Sequence, residues 1–349
     1  MAGYNEGDII EGIFAIAIAL YVRDDKIDKK KLNEIRTKIE PVEFDKGRVM
    51  VAIAKNVKKQ YPGKPADTFN VNLEIRLKRA STGVAFGKDF KPVYTKSKDI
   101  GNIDKKIDSF IKSQNGSSWQ TKIKAAKDKF LMNNVSEIVT FNVIADGIAG
   151  ESSGGDIKAD ITLEIYAQTS KQKKSIFKEK ISFSLKSESV TVANLSPYQG
   201  MKDIAEAFKL EWKDITKYEV LKRSAKTDTE KKQKFKTIEA MYTELKSLIK
   251  KNKANISSKA YDFLSKSIFG SDMANVVDIQ KGVVKEITPE YFNMLKNNVK
   301  LDVVENGNNL VFVDAKTKTP IFQIRTKLRP PPANEAKFYL EVGKGIYNK

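Results

Sequence analysis

G-G-D-I-K-A-D-I-T-L-E-I-Y at residues 154–166 and I-F-K-E-K-I-S-F-S-L-K-S at residues 176–187 decide how this chain is read. In the first, Ile161, Leu163 and Ile165 alternate with Asp160, Thr162 and Glu164. In the second, Ile181, Phe183 and Leu185 alternate with Ser182, Ser184 and Lys186. Side chains on a strand point to opposite faces with a period of two, so each segment reads as a strand with an aliphatic face and a polar row. Paired as a hairpin, the two strands bring the Asp160 carboxylate and the Lys186 ammonium onto a shared face.

Outward from this pair, residues 138–148 read as a third strand, and residues 42–57 and 69–86 as earlier ones, the latter through the alternation V-N-L-E-I-R-L. Helical spacing marks residues 28–39, 103–111 and 118–130, with Ser117 or Ser118 as the cap of the last and Gly116 as the break before it. Residues 9–22 form the most apolar stretch, too short to span a bilayer and preceded by Glu6 and Asp8 rather than by a basic leader. They read as a buried helix of a cytoplasmic protein. Residues 198–212 and 231–251 are helical, with the polar run 222–234 as the expected linker. Beyond Val283 the chain returns to strands, and Pro330, Pro331 and Pro332 separate the last two.

Absences narrow the chemistry. The 349 residues contain no histidine and no cysteine. That excludes Ser-His-Asp and Cys-His catalysis, zinc held by nitrogen or sulfur, and disulfides. No G-x-x-x-x-G-K-[ST] run is present, so nucleotide hydrolysis by a P-loop is not supported. What remains is carboxylate, lysine and hydroxyl chemistry with an oxygen-loving metal. The net charge of +19 and pI near 9.6 favour a polyanionic partner, most simply nucleic acid. Only 8 of the 63 basic residues are Arg, and the Lys, Asn and Ile habit points to AT-rich coding in a bacterium or phage, which accounts for part of that charge.

Asp160 and Lys186 on neighbouring strands suit metal-dependent phosphodiester hydrolysis: the carboxylate holds Mg²⁺ and the lysine steadies a water or the developing charge. The bland reading is a half-exposed hairpin in a lysine-rich chain. Asp160 with Ser184-Leu185-Lys186 resembles the signature of the PD-(D/E)xK, restriction-endonuclease-like nucleases: an acid on one strand and (D/E)-x-K on the next. Ser184 stands where the second acid usually is, and Glu164 or Asp156 would fill the gap. The resemblance implies an α/β (α+β) fold with a mixed central sheet flanked by helices, Mg²⁺ with Mn²⁺ as substitute, and DNA as substrate, as a homodimer where both strands are cut. It also implies a metal-binding glutamate on an N-terminal helix, here Glu11, and a Gln-bearing helix after the S-L-K strand, here Gln199. A first-turn glutamate favouring the helix dipole and an ordinary helix start after Pro197 are the structural alternatives.

Gln323, Arg325, Lys327 and Arg329 form a row at period two, opposite Phe322, Ile324 and Leu328. Guanidinium forks and amides suit phosphate oxygens and base edges; a charge-protected edge strand is the alternative. Together these readings place a nuclease-like core at residues 1–215 and a helical and β extension at 216–349. The expected function is Mg²⁺-dependent DNA cleavage by an endonuclease. A non-catalytic DNA-binding or virion-associated phage protein is the alternative, and a structural or inhibitor protein a third.

Overall fold

The computed structural model describes residues 6–38, 43–45, 48–50, 57–59, 67–76, 100–132, 137–146, 159–169, 174–186, 191–280, 282–330, 332–333 and 335–347. The architecture is mixed α and β, in two compact units: Met1–Glu188 with Phe269–Thr288, and Ser189–Ile268 with Pro289–Lys349. The break expected at residue 215 therefore falls at 188, and the chain comes back to the first unit for two more strands. The reason is pairing: the sheet takes a strand from residues 275–280 as a parallel neighbour of 176–186, and a parallel neighbour can be reached only through a long crossover connection.

The first unit begins with α1 (Glu6–Asp24) and α2 (Lys29–Lys38), followed by a two-stranded ladder of β1 (Glu43–Asp45) and β2 (Arg48–Met50). Then come β3 (Val57–Lys59), β4 (Asp67–Arg76), α3 (Ile100–Ser113), α4 (Ser118–Lys127), β5 (Glu137–Asp146), β6 (Ile161–Thr169) and β7 (Ile176–Lys186). A later strand, β8 (Thr191–Leu195), belongs to the second unit, and β9 (Asn275–Gln280) and β10 (Val283–Ile287) complete the first. The main sheet has seven strands in the order β10-β9-β7-β6-β5-β4-β3, with β4–β5 and β7–β9 parallel and the other pairs antiparallel. Of the strand expected at 69–86, residues beyond 76 lie outside the described residues, as does most of 42–57.

The alternation seen in the sequence is the alternation of burial. Ile161, Leu163 and Ile165 are fully buried and share one core with Ile181, Phe183, Leu185, Val277 and Ile279. Burying such a side chain contributes roughly 1.5–3 kcal/mol. The helix α1 covers this apolar face. Because Ile13 to Val22 are apolar all round, α1 can be buried between the sheet and the helices outside it. The ring of Phe14 in α1 lies tilted against Phe110 of α3 with centroids 4.0 Å apart, and Phe110 lies 4.5 Å from Trp119 of α4. Trp119 is thus core. Gly116, at φ +90°, makes the turn before α4, and the Ser117 hydroxyl accepts the Gln120 N–H as the cap. Among the described residues no helix is long and apolar enough to cross a membrane.

The second unit contains α5 (Gln199–Ala207), α6 (Asp228–Lys251), α7 (Ser257–Phe269) and α8 (Pro289–Asn298). Its strands are β8, β11 (Leu301–Asn306), β12 (Asn309–Asp314), β13 (Pro320–Arg329) and β14 (Glu335–Val342), in an antiparallel sheet of order β11-β12-β13-β14-β8. Phe312 and Phe322 stack at 4.1 Å on its inner face, and Tyr242 of α6 packs 5.2 Å from Phe338. The run 222–234, expected as a linker, is mostly ordered helix. Thr227 and Glu230 form a reciprocal capping box that starts α6 at Asp228, and the polar residues after it are solvated first turns. The helices α7 and α8 had no counterpart in the sequence reading.

Candidate active site

Asp160 sits one residue before β6, where the backbone ladder to β7 is running out. Its N–H still donates to the Phe183 carbonyl at 2.9 Å. Beyond that point its side chain continues the pairing: Oδ2 accepts the Leu185 N–H at 2.6 Å and the Ser184 hydroxyl at 3.2 Å. Oδ1 has no hydrogen-bond partner among the described residues. The residue before it, Ala159, donates its N–H to Asp272 Oδ2 at 2.9 Å, so a second carboxylate stands beside Asp160. Burial pushes the Asp160 carboxyl up from its ordinary value. The Lys186 ammonium and the two hydrogen bonds act against that, while the charge of Asp272 adds to it.

Ser182, Ser184 and Lys186 of β7 point away from the apolar core, so Asp160, Ser184 and Lys186 come together as the alternation implies. Ser184 is buried, whereas Lys186 is half-buried and makes no hydrogen bond or ion pair among the described residues. In the parallel ladder Lys186 is the register partner of Asp278, a fully buried carboxylate that accepts the Gln280 amide at 2.6 Å. This end of the sheet therefore holds Asp160, Asp272, Asp278, Ser184, Lys186 and Gln280. Asp272, Asp278 and Gln280 escaped the sequence reading because they follow Lys186 by some eighty residues or more. The one local signal was an acid inside the strand-like run V-V-D-I-Q.

Two expected metal ligands, Glu164 and Glu11, do not join this group. Glu164 lies four residues further along β6, which at strand rise is about 14 Å from Asp160, and it accepts the Tyr166 hydroxyl at 2.8 Å. Glu11 is half-buried on α1, the helix that covers the apolar face, while Asp160 and Ser184 belong to the opposite face. Asp156 lies outside the described residues. Among the described residues no cluster of three or more carboxylates could hold a metal ion. Two oxygen-donating carboxylates do stand side by side, Asp160 and Asp272, and Mg²⁺ is commonly held by one or two carboxylates while keeping several of its waters. The donor set fits that ion.

Gln199 opens α5 in the second unit, where its amide donates to Asp203 Oδ1 at 2.7 Å. The 323–329 row lies on β13, an interior strand between β12 and β14, so the edge-strand alternative falls. Gln323 and Arg325 are anchored on Glu341 of β14: the Gln323 amide donates to Oε2 at 2.8 Å and Arg325 Nε to Oε1 at 2.5 Å. Lys327 is half-buried and Arg329 is exposed at the end of the strand.

Comparison with known proteins adds no relative. No family model, curated protein or solved structure matches the chain.

Proposed function

We propose that this chain is a metal-dependent deoxyribonuclease whose chemistry lies at the Asp160–Lys186 end of the seven-stranded sheet. The observation that carries the reading is the meeting of these two groups on one sheet face. The carboxylate is locked by a backbone N–H through Oδ2, Oδ1 has no hydrogen-bond partner among the described residues, and the Lys186 ammonium stands beside it. A mixed sheet flanked by helices, with the acid at the start of one strand and S-x-K at the end of the next, is what a restriction-endonuclease-like core would present.

In this reading Asp160 and Asp272 hold the cation, and Ser184 and Leu185 keep Asp160 in a single orientation. Lys186 donates to the phosphate or to the attacking water and stabilises the charge that grows there. Mg²⁺, or Mn²⁺ in its place, supplies positive charge against the phosphate oxygens and acidifies water when bound.

The test is incubation of the purified chain with supercoiled plasmid and linear DNA under Mg²⁺, Mn²⁺ and EDTA, beside Asp160→Ala and Lys186→Ala. Metal-dependent cutting that disappears in both variants is expected. One observation favours a second reading, a DNA-binding protein without catalysis: Ser184 occupies the second-acid position and spends its hydroxyl on Asp160. That protein would bind DNA equally well with Lys186→Ala and in EDTA, and would cut nothing.

A further inference from the structure

In the second unit the segment that leads into α6 also packs against it. A 3₁₀ helix at Ile215–Lys222 buries Tyr218 and Leu221, and the chain then extends from Arg223 to the Thr227 cap of α6. Between this segment and the first turns of α6 lies a groove of about 270 Å³. That is near the small end of the range for ligand pockets, roughly 300 Å³. Val220 and Leu221 give it an apolar wall, and Arg223, Gln233 and Lys234 give it polar ones. Val220 is 52% exposed, an apolar side chain left uncovered where the groove opens.

The charge around the groove is one-sided. Lys234 reaches across it: Nζ donates to the Arg223 carbonyl at 2.8 Å, and this half-buried ammonium makes no ion pair among the described residues. Glu230 is the one carboxylate among the lining residues, and its Oε2 accepts the Lys226 and Thr227 N–H groups at 2.7 and 2.9 Å, which ties it to the start of α6. Residues 222–236 hold seven lysines and arginines against Asp228 and Glu230. Lys222 pairs with Glu219 at 3.0 Å and Lys231 with Asp228 at 3.1 Å. Arg223, Lys226, Lys232, Lys234 and Lys236 make no ion pair among the described residues.

A groove with two cations on one side and an apolar wall on the other suits an anion that carries an apolar, planar body. The Gln233 amide adds a donor and an acceptor, neither of them engaged among the described residues. A bare phosphate would use the cations and leave Val220 in water. Duplex DNA would offer its phosphates while its bases stayed stacked and out of reach. An unpaired nucleotide uses both sides, because its base is free to leave the stack and lie on a side chain.

We infer that this groove binds one unpaired nucleotide, its phosphate on Arg223 and Lys234, its base on Val220 and Leu221, and Gln233 at the base edge. The inference rests on the proposal that the chain acts on DNA, and it names the form of DNA that the second unit holds: single strand. A free nucleoside monophosphate presents the same phosphate and base, and the experiment separates the two sources.

The experiment is a fluorescence-anisotropy titration of a short labelled single strand with the full chain in EDTA. Unlabelled single strand, duplex, dTMP and inorganic phosphate serve as competitors. Arg223→Gln and Val220→Asn alter the groove, and Lys236→Gln removes a charge from the same helix at a residue that does not line it. Arg223 and Val220 are exposed, so all three variants should melt with the wild type. Single strand is expected to bind more tightly than duplex. Arg223→Gln should weaken single-strand binding about tenfold and Val220→Asn about threefold, against less than about twofold for Lys236→Gln. Displacement by millimolar dTMP would support the inference with the free nucleotide as an occupant, and displacement by single strand alone would support it with the strand as the source. No binding of single strand, an equal loss in Lys236→Gln, or displacement by inorganic phosphate as readily as by dTMP would overturn it, since the groove would then read no base. Because EDTA removes any cutting, a chain that binds in this way but cuts nothing sinks only the hydrolysis proposal. A chain that cuts while the groove variants bind like wild type sinks only this one.

Discussion

Replacing Asp160 separates its structural role from its chemical one. In Asp160→Ala the Leu185 N–H loses its acceptor at the point where the β6–β7 ladder ends, and Ser184, only 1% exposed, loses its partner. A buried donor left unpaired costs about 1–3 kcal/mol. Taking about 2 kcal/mol, and about 2–4 °C per kcal/mol for a unit of this size, Asp160→Ala should melt about 4–8 °C lower. Asp160→Asn keeps an oxygen for Leu185 and exchanges a charge-assisted bond for a neutral one, a loss of about 1 kcal/mol. Against that, it no longer buries a charge beside Asp272. The Asp160 carboxyl is pushed up by burial, so its contribution to stability is fully present below the pKa of the unfolded chain and is lost as pH rises through the folded value. The Asn variant should therefore compare best with wild type at neutral pH and fall behind as acid protonates Asp160. Trp119 fluorescence in a Trp212→Phe background reports the first unit alone. An Asn variant as unstable as the Ala variant at neutral pH, or a gap from wild type that ignores pH, would refute the reasoning.

Lys186→Ala should lower the melting temperature at neutral pH, because it takes away the positive charge that offsets burial of the Asp160 carboxylate, and should lower cutting about 10²–10³-fold in a plasmid assay. The Mg²⁺ concentration needed for half-maximal cutting should rise with acid, from a higher pH than an ordinary aspartate would give, because protons compete with the cation for Asp160 and its metal-free carboxyl is raised; Mg²⁺ titrations of plasmid cutting at several pH values check this. Glu286→Ala should cost the first unit about 2–4 kcal/mol in chemical denaturation, since that buried carboxylate accepts the Ser118 and Trp119 N–H groups at 2.7 and 2.9 Å and caps α4 from β10. In the second unit, Gly343→Ala should cost about 1–3 kcal/mol, because a Cβ would come within 2.6 Å of the Pro320 carbonyl carbon, which is backbone and cannot turn aside.

What the sequence disclosed was local. The period-two runs around Ile161–Ile165 and Ile181–Leu185 stated both their strands and their inward faces, and the all-round apolarity of α1 stated its burial, because each is a property of neighbouring residues. The helix α6 was hidden in part by charge: seven lysines and arginines between 222 and 236 look like a linker until Thr227 and Glu230 are recognised as a capping pair. Of the site, Asp160 and Lys186 were legible because a hairpin joins them. Asp272 and Asp278 were not, since only the parallel pairing of β7 with β9 brings them there, and no local pattern encodes which distant strand completes a sheet. Glu164 failed as a ligand for a plain metrical reason: sharing a face with Asp160 does not shorten four residues of extended chain.

That return of the chain to β9 also has a consequence in time. During synthesis, the strand that will lie beside β7 emerges only after about ninety further residues have been made. Until then the first unit has an open edge at β7, and Lys186 lacks its register partner. Contacts between residues so far apart in sequence form late and slowly. Chemistry at Lys186 would accordingly be withheld from the nascent chain, and a single proteolytic cut between residues 189 and 268 would fall within the second unit while leaving the first one a two-piece sheet.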